Sequence, residues 1–228
     1  MKKLLVTVFT TFFAFTVNIA SADVSGLAIG ISFSNNELDT LVTDDIDSNG
    51  TITTTKALTD TVLAGSIFGE LTLGGSSGLA VTLGVDYIPV DADLDKRSTT
   101  QATIKGKTTS SSSGTNTGKA SIENHLTFYI QPGIVFGNTM LYGTLGYSHA
   151  DVTATWESVS STNSSKVQSM NVTKIGVGVK HVRDNGIVLK LDYSQTDYDK
   201  VSYTTTNNTK VTGDIDNTVI ALSIGKSF

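Results

Sequence analysis

Six charged side chains lie at positions that alternate with large apolar residues, a pattern that can form ion pairs on one face of a sheet. If the strands pair in the register argued below, Lys180 and Lys190 lie opposite each other at the same depth. Such a like-charge pair needs nearby carboxylates, and Glu70 and Asp192 are expected at similar heights. The predicted charge network consists of Glu70, Asp86, Lys174, Lys180, Lys190 and Asp192.

The sequence offers little for catalysis. It contains no Cys, which excludes thiolate nucleophiles and thiolate-bound zinc. The three histidines, His125, His149 and His181, fall on different predicted strands, and no Ser-His-Asp set follows from their spacing. We therefore expect no catalytic residues, no cofactor-binding residues and no enzymatic activity.

One acidic segment, residues 45–50, matches the first half of a calcium-binding loop. Such loops wrap the ion with spaced oxygen ligands and end with a bidentate Glu at the twelfth position. That position is Lys56 here, so the bidentate ligand is missing. The sequence predicts no specific metal site.

The elements that must position the charges are short strands, because large apolar residues recur at every second position in eight segments. The opposite face of each segment carries mostly Gly, Ala, Ser and Thr, with a few charges. Such faces suit a narrow barrel with lipid outside and small polar side chains inside. The fold predicted is all-β, an eight-stranded antiparallel up-and-down transmembrane β-barrel. Its outward apolar runs lie in residues 27–33, 63–73, 79–87, 126–136, 141–147, 175–179, 187–193 and 218–228.

The connections alternate in length, as they do in outer-membrane barrels. Long polar segments are predicted as extracellular loops, and tight turns are predicted on the periplasmic side with both termini. The long segments are 34–60, 91–121, 153–170 and 199–215, and the turns are 74–78, 137–140 and 184–186. Parts of two long segments, 99–107 with 119–124 and 201–206 with 210–215, alternate enough to continue their strands above the membrane.

Side-chain parity tests the register, because paired residues of a hairpin must point the same way. The sixth and seventh strands both have odd-numbered apolar residues, which requires an odd loop. The segment 184–186 satisfies this as a three-residue turn with Gly186 in the left-handed region. The outward apolar residues are even-numbered on the fourth strand and odd-numbered on the fifth, which requires a loop with an even number of residues. Residues 137–140, or their inner pair, supply this loop.

The first 22 residues read as a secretory signal peptide, with Lys2 and Lys3 before an apolar stretch and small residues at 20–22. Residues 23–228 are then the barrel domain. The formal net charge of the whole chain is -5, which argues against nucleic acid as a partner.

The last strand, 218–228, alternates up to Phe228 in the manner of the terminal strands that address barrels to the outer membrane. Together with the plan of four long and three short loops, it resembles the small outer-membrane barrels of the OmpA, OmpX and opacity-protein type. The resemblance covers essentially all of residues 23–228. Lys226 departs from it, because the family more often has an aromatic or apolar residue there. The implied assembly signal consists of Ile220, Leu222, Ile224 and Phe228.

The resemblance implies a place in the outer membrane of a Gram-negative bacterium. The implied partners are outer-membrane lipid, the barrel-assembly machinery and periplasmic chaperones, together with an extracellular surface ligand. The leading functional hypothesis is a structural and surface-interaction role in the cell envelope. One alternative is a narrow passive or gated channel for ions or small solutes, whose gate would be a breakable salt bridge in the lumen. The other is an adhesin acting through protruding extracellular hairpins, whose sheet edge could bind a partner by strand addition.

Overall fold

A computed structural model describes residues 24–45, 52–74, 77–89, 92–93, 97–101, 114–157, 164–198, 200–204 and 210–228. The predicted signal peptide and most of the calcium-like segment lie outside these residues. The described residues contain no helix long and apolar enough to cross a membrane. The strands are β1 (Gly26–Asp45), β2 (Ile52–Gly74), β3 (Ser77–Ile88), β4 (Ala92–Asp93), β5 (Arg97–Gln101), β6 (Gly114–Phe136), β7 (Thr139–Glu157), β8 (Ser164–Val182), β9 (Ile187–Tyr198), β10 (Val201–Thr204) and β11 (Lys210–Ser227).

Neighbouring strands pair antiparallel, and the first long strand pairs with the last, so the sheet closes on itself. Eight long strands form the wall in the order β1, β2, β3, β6, β7, β8, β9 and β11. The short strands β4 and β5 pair with β6, and β10 pairs with β11. The predicted eight-stranded up-and-down barrel is confirmed.

The wall has an outward belt of exposed apolar side chains, as the alternation predicts. Leu63 and Leu79 are 82% and 81% exposed, which is unfavourable in water but natural against lipid. Aromatic side chains lie among the exposed residues of the belt and include Phe33, Phe128, Phe136, Tyr147 and Tyr193. Closure by eight strands leaves a lumen that side chains can fill.

The periplasmic turns follow the parity rule. Arg183 N–H donates to Ile187 O at 2.8 Å and Gly186 N–H donates to Arg183 O at 2.7 Å, which makes 184–186 the predicted three-residue turn. Gly186 has φ +76°, in the left-handed region that favours glycine. Between β6 and β7, Phe136 pairs with Thr139, so the loop is 137–138. It has the predicted even length, that of the inner pair of 137–140, but lies one residue earlier in the chain.

The predicted long loops are wrong over much of their length, because strands continue through them. In the first, β1 runs to Asp45 and β2 begins at Ile52; in the third, β7 runs to Glu157 and β8 begins at Ser164. The predicted strand extensions in the second and fourth segments are confirmed in part by β5, β6, β10 and β11. We call the part of the sheet beyond the apolar belt the protruding sheet.

Apolar residues change faces where the sheet leaves the membrane, and this explains the misread loops. On β1 the outward apolar residues are odd-numbered up to Phe33, whereas Leu38 points inward. Water outside the protruding sheet favours apolar side chains on its inner face. On β6 a bulge between Glu123 and Leu126, with Asn124 at φ 54°, shifts the parity so that Ile122 is buried.

Candidate functional site: the barrel lumen

Four strands carry the six predicted charged residues. The alternation of side chains along each strand points these residues into the lumen. Glu70 lies on β2 and Asp86 on β3, while β8 carries Lys174 and Lys180 and β9 carries Lys190 and Asp192. Each lies next to at least one outward apolar residue of its own strand. The same alternation that makes the lipid-facing belt therefore concentrates these charges inside.

Glu70 lies between two lysines at the centre of the lumen. Its Oε1 is 3.2 Å from Lys180 Nζ, and its Oε2 is 2.7 Å from Lys190 Nζ. Lys180 and Lys190 are register partners across β8 and β9, as the parity argument predicts. Glu70 and Lys180 are 2% exposed and Lys190 is 6% exposed, so water does little to screen the three charges.

Hydroxyl and amide groups satisfy the remaining hydrogen-bonding capacity of this cluster. Lys180 Nζ donates to Thr72 Oγ1 at 2.5 Å, and Tyr129 O–H donates to Glu70 Oε2 at 3.0 Å. Lys190 Nζ donates to Gln131 Oε1 at 3.4 Å. Buried charges persist only when they are both paired and hydrogen-bonded, and this cluster meets both conditions.

Three aromatic rings surround Lys190, and the sequence analysis did not single them out. Its Nζ lies 5.2 Å from the ring centroid of Phe68, 5.3 Å from that of Tyr129 and 5.6 Å from that of Tyr142. These are cation–π distances. The alternation of side chains could have revealed them, because each ring lies at a position that faces the lumen on its strand. Phe68, for example, immediately follows Ile67, which faces outward.

The other two carboxylates have neutral hydrogen-bond donors. Tyr142 O–H donates to Asp192 Oδ1 at 2.7 Å, and Ser66 O–H donates to Asp86 Oδ2 at 2.8 Å. The sequence suggested that both Glu70 and Asp192 neutralise Lys180 and Lys190. Only Glu70 is within direct contact of them among the described residues. Three carboxylates and three ammonium groups nevertheless leave this network with no formal net charge.

Buried apolar side chains form a cluster toward each end of the lumen. The cluster beside the short turns, on the side predicted to be periplasmic, is called the periplasmic plug and consists of Val24, Ala28, Ala80, Val135, Met140, Tyr142, Val182 and Val188. The cluster at the other end, on the side predicted to be extracellular, is called the extracellular plug and consists of Leu38, Ile122, Ala150, Val152, Met170, Val172, Tyr198 and Ile215. The charged cluster lies between the two plugs.

A polar chamber of about 110 Å³ lies between the charged cluster and the extracellular plug. Its lining includes Lys174, Asp86, His125 and Asn217. Among the described residues, His125 Nε2 and Asn217 Oδ1 are buried without a hydrogen-bond partner. The chamber is large and polar enough to hold water, which would satisfy these atoms.

The remaining candidate residues do not converge on a second site. His149 Nδ1 lies 3.4 Å from Asn171 Oδ1, and His181 Nδ1 lies 3.0 Å from Thr139 Oγ1, both exposed, while His125 is inside the lumen. Within the described ranges, no group of three His, Asp or Glu side chains could hold a metal ion.

The terminal strand closes the barrel and points the predicted assembly residues outward. Ile220, Leu222 and Ile224 are exposed on β11, and Phe228 N–H donates to Leu27 O at 2.8 Å. Lys226, the departure from the family pattern, donates from its Nζ to the carbonyl oxygen of Asn185 in the β8–β9 turn.

Solved structures of outer-membrane proteins are similar to this chain at low sequence identity. The crystal structure of Ail, the attachment invasion locus protein of Yersinia pestis, is 13% identical, with 86% of this chain and 99% of that one covered and a TM-score of 0.37. The outer membrane protease OmpT of Escherichia coli is 9% identical, with 91% and 100% covered and a TM-score of 0.48. Neisserial surface protein A is 10% identical, with 86% and 97% covered and a TM-score of 0.32. No protein-family model and no curated protein matches the chain.

The protein is an outer-membrane β-barrel. The closed antiparallel sheet with its outward apolar belt decides this, because the eight long strands pair in a closed circle and turn large apolar side chains outward. The low-identity similarities add nothing about its activity.

Proposed function

We propose that this barrel is a structural and surface-interaction protein of the cell envelope, in which a closed barrel anchors a protruding sheet. The observation that carries the proposal is the length of the strands. On β1 about 12 residues follow Phe33, the last outward aromatic residue of the belt, before the strand ends at Asp45. At roughly 3.4 Å per residue they extend about 40 Å along the strand.

The lumen supports this proposal over transport and catalysis. Both plugs are apolar, and the charged cluster between them is paired and hydrogen-bonded. The six charges then act as a structural network that fills a narrow barrel. Among the residues that the structure describes, the histidines are scattered and no acid, base and nucleophile converge, which favours a protein without enzymatic activity.

Attachment of cells that display the protein tests the proposal. A non-adherent Gram-negative host would express either the full chain or a variant lacking residues 99–124, and attachment to immobilised matrix and to cultured cells would be counted. Lys226→Leu is the matched control, since it changes only the periplasmic rim. We expect the deletion to abolish attachment and the control to retain it. Equal attachment by all three folded proteins would refute the proposal.

A narrow channel is the second candidate, and the polar chamber is the observation that favours it. A conducting path would need the contacts of Glu70 with Lys180 and Lys190 to break and both plugs to move. Bilayer conductance separates this candidate from the first, as set out in the Discussion.

Assembly of the barrel brings further proposed partners, namely the assembly machinery, periplasmic chaperones and outer-membrane lipid. The outward row of Ile220, Leu222 and Ile224, with Phe228 at the end, is the segment we propose they recognise. Phe228→Ser should lower the amount of folded, heat-modifiable protein in outer-membrane fractions. Unchanged amounts would remove Phe228 from the signal.

A further inference from the structure

Three lumen charges lie outside the charged cluster of Glu70 and have no direct counter-charge. In the part of the chain that the structure describes, no ion pair includes Lys174, Asp86 or Asp192. Each of the two carboxylates accepts one hydrogen bond from a neutral hydroxyl group. Charges inside a protein persist when opposite charges and hydrogen bonds compensate them. For these three charges, the compensation must come from what fills the space between them.

The three charges surround the polar chamber. Asp86 on β3, Lys174 on β8 and Asp192 on β9 all line it, and β3 and β8 are three strands apart around the wall. Among the described residues, two further polar atoms of the lining, Asn217 Oδ1 and His125 Nε2, are buried without a hydrogen-bond partner. Asn217 is only 6% exposed. The chamber therefore offers one ammonium group, two carboxylates and a buried amide oxygen to an occupant.

The charges of the chamber favour an occupant that carries both signs. The six lumen charges have no formal net charge, so a lone ion would add an uncompensated charge to a confined space where screening is weak. A zwitterion adds none. Its carboxylate fits Lys174, and its ammonium group supplies donors that Asp86, Asp192 and the amide oxygen can accept.

The chamber also limits the size of its occupant. Its volume is about 110 Å³, and one water molecule requires roughly 10–15 Å³ on this measure, so there is room for about seven to ten waters. A small amino acid of roughly six non-hydrogen atoms needs about the space of that many waters. Val62, Ile88 and Val219 line the same chamber and can contact a short aliphatic side chain.

We propose that the polar chamber binds a small zwitterion of the α-amino acid class. Its carboxylate contacts Lys174. Its ammonium group lies toward Asp86 and Asp192, with Asn217 Oδ1 as a further acceptor. The ligand then links the charges of the chamber as Glu70 links the two lysines of the charged cluster. This inference goes beyond the proposed surface role and does not depend on it, because the site lies inside the barrel.

Titration of the refolded protein with alanine, followed by NMR, tests the inference. The side-chain amide of Asn217 and the methyl groups of Val219 report from inside the chamber. Both sets of signals should shift saturably with alanine, and the alanine methyl group should show a nuclear Overhauser effect to Val219. The absence of any saturable shift would mean that the chamber holds water only, and it would overturn the inference.

Two matched probes separate a zwitterion site from the binding of a single ion. Propionate keeps the carboxylate and alkyl part of alanine without the ammonium group, whereas ethylamine keeps the ammonium group without the carboxylate. Each should bind at least about ten-fold more weakly than alanine, the effect of losing one charge-assisted hydrogen bond. Equal binding of the three probes would contradict the proposal.

A substitution at the lysine tests its role in the site. Lys174→Met should weaken alanine binding at least about ten-fold and should leave ethylamine binding no weaker, since ethylamine has no group for Lys174. Lys200→Met is the matched control, because Lys200 pairs with Asp214 on the protruding sheet, and it should bind alanine as the unmodified protein does. Unchanged alanine binding by Lys174→Met, or an equal loss of alanine and ethylamine binding, would overturn the inference. If Lys174→Met does not refold, the three probes on the unmodified protein decide.

Discussion

Lys180 and Lys190 are directly opposed on β8 and β9, and they share one carboxylate that comes from the far side of the barrel. Two adjacent ammonium groups would repel each other strongly in a lumen with little water. Glu70 offsets this repulsion by placing one oxygen near each lysine. The two lysines therefore share Glu70 as their directly paired carboxylate.

Replacing this carboxylate is expected to destabilise the barrel strongly. Glu70→Gln removes the carboxylate that contacts Lys180 and Lys190 directly, and breaking a buried pair in this way costs about 3–5 kcal/mol. Denaturant unfolding of the refolded protein measures the loss. The double variant Glu70→Gln, Lys180→Met should be less destabilised than Glu70→Gln alone, because it removes one uncompensated charge. Glu37→Gln, on the exposed surface, is the control, and equal stability of Glu70→Gln and Glu37→Gln would contradict the prediction.

The closed lumen predicts a silent bilayer. Refolded protein comprising residues 23–228 should show no stepwise conductance in a planar bilayer. The Lys180→Ala, Lys190→Ala variant should also be silent, because the apolar plugs at both ends remain in place. Discrete openings that change in size or frequency in the variant would instead establish a gated channel and locate its gate at the two lysines.

Gly84 provides the space for an aromatic ring of the lumen. A Cβ atom at Gly84 would lie 2.2 Å from Tyr129 Cζ, so alanine there must displace the ring and its hydrogen bond to Glu70. Overpacking of this kind costs about 1–3 kcal/mol. Gly143→Ala is the matched control, because the nearest atom to its Cβ is 3.9 Å away. Denaturant midpoints should fall for Gly84→Ala only, and similar midpoints would show that the lumen accommodates the methyl group.

Carboxylates on the protruding sheet should make the free energy of unfolding depend on pH in the acid range. Partial burial of the carboxyl group and the neighbouring Asp197 raise the pKa of Asp216 above its ordinary value. The folded state therefore binds this proton more tightly than the unfolded state, and stability rises as pH falls through the raised pKa toward the ordinary one. Above that window the ionised Asp216 destabilises the fold.

Asp216→Asn tests this sign. At neutral pH and low salt the variant should be more stable by about 0.2–1 kcal/mol, the usual cost of like charges on opposed residues. Salt should reduce the gain, since the group is exposed. Unfolding free energies of the two proteins should converge as the pH is lowered. A variant that is less stable at neutral pH would mean that the carboxylate stabilises the sheet.

The local sequence was sufficient to predict the strands of the barrel wall and the positions of the short turns. In the run 187–193 the outward apolar residues specify a strand with one lipid-facing side, since side chains alternate with a period of two. Parity then determined that Lys180 opposes Lys190 and that Gly186 occupies a three-residue turn. These features depend on residues close together in the chain, which explains why they could be predicted.

The contacts across the lumen required the tertiary structure. The sequence placed Glu70 and Asp192 at similar heights, but Glu70 meets the two lysines only because closure brings β2 opposite β8 and β9. The arrangement of the rings around Lys190 has the same origin. The protruding sheet was not predicted, because the apolar residues change face at Leu38 and a bulge precedes Leu126. The predicted alternation holds only where the outer face of the sheet meets lipid. The sequence by itself determined which faces are apolar. Only the closed barrel decided which of those faces meet lipid, water or each other, because that depends on where each strand lies relative to the membrane and to its distant partners.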